Sequence, residues 1–114
     1  MSNDMVKTAQ AVKVDTVEVV PLVDIVENNE GFELIFEVPG ANSGTVTVEV
    51  ANNVLTVDAA SSLRRGDRNV VFKRAFQLSY AIDIAKITAE TKDGVLRLFL
   101  PKADQVKVHR IPVS

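Results

Sequence analysis

The stretch GTVTVEV constrains this chain most. Val46, Val48 and Val50 alternate with Thr45, Thr47 and Glu49, so an extended backbone places three valines on one face and polar groups on the other. That is a strand with one buried face. FELIFEV repeats the pattern with Phe32, Leu34, Phe36 and Val38, and VVFKRAFQL repeats it with Val70, Phe72, Phe76 and Leu78. Turn chemistry separates the runs: Asn28-Asn29 before Gly31, Pro39-Gly40, Asn52-Asn53, Gly66-Asp67 and Asp93-Gly94. Strands are expected at roughly 21–27, 31–38, 45–50, 53–58, 70–78, 86–91 and 94–100. This spacing predicts an all-β fold, an antiparallel immunoglobulin-like β-sandwich. Between Tyr80 and Lys86 a connecting loop and a single helical turn are both compatible with the pattern.

The 114 residues fit one domain, and 46% apolar with 25% charged residues at net charge -2 is an ordinary globular balance. Nothing is polarised toward nucleic acid. Arg64, Arg65, Arg68, Lys73 and Arg74 cluster, but Asp67 interrupts them and aromatic interleaving is sparse, so a solvated loop is expected there. The absence of cysteine removes disulfides, thiolate metal sites and cysteine nucleophiles. No apolar signal core opens the chain and no run can cross a bilayer, so a cytoplasmic location with no membrane partner is expected.

The chemistry of common enzymes is missing. His109 is the only histidine and lies in a polar stretch; no HExxH, GxSxG or glycine-rich phosphate loop occurs. No catalytic residue, metal or cofactor is expected.

Two features ask for partners. Arg74 shares the inward face of its strand, where an ionised group is costly unless paired, so it should meet a carboxylate or a partner surface. The second is Ile111-Pro112-Val113, where proline holds the backbone extended and both aliphatic side chains point the same way. Burying each is worth roughly 1.5–3 kcal/mol before the cost of ordering the segment. They could complete the chain's own sheet edge or dock on another copy. A flexible N-terminal arm at 1–20, a sandwich at 21–102 and an extension at 103–114 complete the expected organisation.

PGANSGTVTVEVANNVLTV and AETKDGVLRLFLPK resemble the α-crystallin domain of small heat-shock proteins. Pro39, Gly40, Val46, Val48, Val50, Leu55 and Val57 match the first block of that family. Ala89, Gly94, Val95 and Leu96 match its Ala-x-x-x-x-Gly-Val-Leu signature, FKRAFQL its arginine-bearing strand, and RIPV its Ile-x-Ile/Val tail.

The resemblance implies an ATP-independent holdase chaperone that covers partly unfolded client proteins. It also implies self-association, first into a dimer with Arg74 at its interface and then into a larger homo-oligomer. The tail Ile111, Pro112 and Val113 is implied to dock in an apolar groove mapped to Val46, Val48, Val50, Ile87 and Ala89. The connection from about Asp58 to Asn69 is short for the swapped strand of many bacterial members, which leaves edge-to-edge pairing through Val70 to Leu78 open. A cochaperone or scaffold of the related CS-type sandwich, without holdase activity, is the alternative.

Overall fold

The structure, a computed structural model, describes residues 15–114. The expected arm lies outside the described residues up to residue 14. Eight strands run in chain order as β1 Thr16–Val19, β2 Val23–Glu27, β3 Gly31–Glu37, β4 Val46–Ala51, β5 Val54–Arg65, β6 Arg68–Gln77, β7 Thr88–Lys92 and β8 Val95–Pro101. They form two four-stranded sheets, β1-β6-β5-β4 and β2-β3-β8-β7. The all-β sandwich read from the alternation is therefore the observed fold.

The inward faces meet as the alternation requires. Leu34 and Phe36 on β3, Leu55, Val57 and Ala59 on β5, Val70 and Phe72 on β6, and Leu96, Leu98 and Leu100 on β8 form the buried core. These four strands occupy the inner positions of their sheets, where neighbours on both sides shield them. Thr47 and Glu49 on β4 are exposed, opposite its half-buried valines.

Turn chemistry works as read. Asn52 and Asn53 have φ of 52° and 62°, and Asp93 and Gly94 have φ of 53° and 75°, the double positive-φ pattern of tight two-residue hairpins. Pro39-Gly40 has a further job: the Ser61 hydroxyl donates to the Pro39 carbonyl at 2.7 Å, and the Ser62 amide to the Gly40 carbonyl at 2.8 Å. A side chain on Gly40 would collide with Ser61 and Leu63.

Three expectations need correction. The strand expected at 53–58 continues to Arg65, and β6 begins at Arg68, so 58–69 is an extended hairpin with a bulge between Ser61 and Arg64. Its outer part pairs backbone to backbone and needs no buried face, which is why apolar alternation stopped short of it. Thr16–Val19, placed in the arm, is a strand, and it pairs with β6 in parallel, the one non-antiparallel ladder among the described residues. Arg74 meets no carboxylate: its Nη1 donates to the Pro21 carbonyl at 3.0 Å, and its guanidinium lies 5.1 Å from the Phe76 ring centre. Within one chain a carbonyl and an aromatic face contact the cation without neutralising it. Between Tyr80 and Lys86 the chain makes one 3₁₀ turn, Ile84–Lys86, below the buried Ile82.

Candidate functional site

On one flank of the sandwich the edge strands β4 and β7 leave a groove of about 410 Å³ between the sheets. Val46, Val48 and Ala89 line it, with Thr91 and Leu96 behind and Ser43 and Glu90 at the rim. Val50 and Ile87, assigned to the same groove from sequence, pack partly buried against the core as Val46 and Val48 do, though they do not border this opening. Thr91 and Leu96 were missed because they belong to the inward faces of strands read only as sandwich, and their position at an open flank depends on strand order. The Thr91 hydroxyl is buried with no hydrogen-bond partner.

The segment carrying Ile111 and Val113 starts from the end of β8 and turns away from this groove. A 3₁₀ turn at Asp104–Val106 follows, and Lys107 then bridges Glu30 at 3.2 Å and Asp104 at 3.3 Å. These two carboxylates, by hydrogen bond and charge, hold the Lys107 pKa above its usual value. The Val108 amide donates to Asn29 Oδ1 at 2.7 Å, and Asn29 Nδ2 donates back to the Val108 carbonyl at 3.4 Å. The stretch after β8 is thus a tether fastened to the turn between β2 and β3. Beyond it Ile111 is 79% exposed and Val113 94% exposed, and neither belongs to a strand. The possibility that they complete the chain's own sheet edge is not realised.

Strand order sets the distance from this anchor to the groove. Ala89 pairs with Leu98, which pairs with Leu34, so Ala89 lies two strands over from β3 and level with Leu34. Two strand spacings of about 5 Å and four residues from Glu30 at about 3.3 Å give roughly 16 Å. Ile111, three residues past Val108, spans about 10 Å at most. Val113, five residues past Val108, could span about 17 Å if fully extended, but in the structure both side chains stand in solvent and neither lines the groove.

Among the described residues no group of three metal-ligating side chains comes together, and no helix is long and apolar enough to cross a membrane. The groove is lined by Val46, Val48, Ala89 and Leu96, with Ser43, Glu90 and Thr91 as its polar members.

The profile of the Hsp20/alpha crystallin family matches residues 24–114. The chain belongs to that family. Small heat shock protein C4 of Rickettsia felis is 31% identical over 104 residues, covering 82% of this chain and 64% of that protein. The 18 kDa antigen 2 of Mycobacterium avium is 33% identical over 99 residues, covering 80% and 72%. Among solved structures, a small heat-shock protein from Xylella fastidiosa superposes with a TM-score of 0.67 at 28% identity, covering 86% of this chain and 99% of that one. In this family member the motif residues serve two ends: Gly94 and Pro39-Gly40 shape turns, while Val46, Val48 and Ala89 border the open groove.

Proposed function

We propose that this small heat-shock protein is an ATP-independent holdase that assembles through its own C-terminal segment and covers apolar surface on partly unfolded proteins. One observation carries the reading. The chain presents an open valine-lined groove on one flank and two exposed aliphatic side chains, Ile111 and Val113, on a segment anchored at the turn between β2 and β3, away from that groove. Each half can satisfy the other between copies. One contact of this size is weak, but several in a closed assembly raise effective concentration and make it stable yet exchangeable. A vacated groove is then free for an apolar client segment, and covering that segment competes with aggregation without needing nucleotide. Cytoplasmic residence is part of this proposal.

Size-exclusion chromatography with light scattering on the full chain and on a version ending at Val108 tests the assembly. The full chain is expected to exceed a dimer and the shortened one to fall to a dimer; equal masses would remove the docking role. Thermal aggregation of a model client tests the holdase separately, and no slowing at stoichiometric ratios would refute it.

A further inference from the structure

The sandwich has a second apolar opening on the opposite flank. Ile25 pairs with the buried Leu34, so its side chain points toward the interior, yet it is 55% exposed. The reason is strand length. The partner strand β1 pairs with β6 only from Asn69 to Phe72, and the chain crosses to the other sheet at Pro21, so nothing extends over Ile25. A cleft of about 270 Å³ results, lined by Ile25, Phe32, Phe76, Leu78 and Ile82.

We propose that this cleft is a parking site for the tail of the same chain, occupied by Ile111 and Val113 when they are not docked on another copy. The inference rests on reading the tail as a docking segment. Three observations select this occupant. The tether runs from β8 across the start of β3 and is fastened at Asn29, so the tail leaves on the flank where the cleft opens. Phe32 is three residues from Asn29 and Ile111 three residues from Val108, each a span of about 10 Å at most, so the lengths match. The lining is mainly aliphatic and aromatic like the tail, with Ile25 its most exposed apolar member. Gln77 and Ser79 are its polar members, and Arg74 and Lys102 lie over the outer rings of Phe76 and Phe32.

Parking has a consequence for assembly. A segment tethered this closely acts at an effective concentration on the order of millimolar, well above that of separate copies in dilute solution. The parked tail lowers the fraction free to dock, and so weakens assembly by that fraction. The midpoint of assembly then lies at a higher protein concentration than the groove contact alone would set.

The chain has no cysteine, so paired cysteines report contact cleanly. Three full-length double variants are oxidised over a hundredfold dilution series: Ile25→Cys with Val113→Cys, Val48→Cys with Val113→Cys, and Asp67→Cys with Val113→Cys as a hairpin-tip control. Mixed isotope-labelled chains and mass spectrometry separate bonds within a chain from bonds between chains. The 25–113 pair is expected to close within one chain, at a rate independent of dilution and at least tenfold above the control. Closure only between chains, or no faster than the control, overturns the parking site. The 48–113 pair is expected to close between chains; its failure alone would sink the groove reading and leave the cleft standing. As a second measurement, Ile25→Gln is expected to lower severalfold the concentration at which tail-dependent assembly is half complete, and an unchanged midpoint counts against the proposal.

Discussion

Arg74 Nη1 donates to the carbonyl of Pro21 at 3.0 Å, joining β6 to the point where the chain leaves one sheet for the other. Pro21 is buried, and the Leu22 carbonyl on its far side accepts from the Glu37 amide at 3.1 Å. The crossover is therefore held to both sheets, and Arg74 is the side chain that holds it to the first. Its guanidinium also covers Phe76, which packs edge-on against the buried Phe36 with ring centres 5.9 Å apart.

Replacing Arg74 with Ala leaves the Pro21 carbonyl without this donor and removes the cation from the Phe76 face. A loss of about 1–3 kcal/mol is expected. Urea unfolding measures it, and a midpoint equal to that of the parent would show the joint to be unimportant for stability.

The Thr91 hydroxyl is buried beside the groove with no partner, a cost that an isosteric methyl avoids. Thr91→Val is expected to raise stability by about 1 kcal/mol. Denaturant melts of the two proteins compare directly, and a destabilised valine variant would show that the hydroxyl is satisfied.

Two glycines should respond in opposite degree. A side chain at Gly31 would run into the Leu100 carbonyl oxygen of the paired strand, whereas one at Gly66, at the hairpin tip, meets nothing within 4 Å. Gly31→Ala must push two ladder strands apart and is expected to cost several kcal/mol, about the scale of core overpacking at 1–3 or more. Gly66→Ala suffers only its φ of 65° and is expected to cost about 1 kcal/mol. Thermal melts that rank the two in the reverse order would contradict the packing of β3 on β8.

Lys107 binds its proton more tightly in the folded chain because Glu30 and Asp104 favour the cation. A raised pKa stabilises the anchored form fully below the unfolded value of 10.5, and that contribution is lost as pH rises through the higher folded value. Amide exchange at Val108 is the readout, corrected for its intrinsic pH dependence. Protection is expected to hold through neutral pH and to fall only above about 10.5; earlier loss would point to another group. Glu30→Gln is expected to loosen the anchor at neutral pH.

How much was readable follows from what each signal reports. Period-two alternation in β3, β4 and β6 names a face, and a face buried in a sandwich is a local property, so the core residues Leu34, Phe36, Val70 and Phe72 could be named in advance. The Asn-Asn and Asp-Gly turns were legible for the same reason, since positive φ is decided within two residues. Arg74 was visible as a charge on an inward face, but its partner, Pro21, lies 53 residues away and offers only a backbone carbonyl, which any residue has.

The sequence by itself settled the class of fold, the turns and the apolar character of the terminal segment, because those depend on neighbours along the chain. Only the tertiary structure decided that β4 and β7 share one flank while β1 stops short on the other, and that the tail leaves on the side away from its groove. Strand order and crossover position are set by the joint packing of two sheets. No local pattern of side chains encodes which edge is left open.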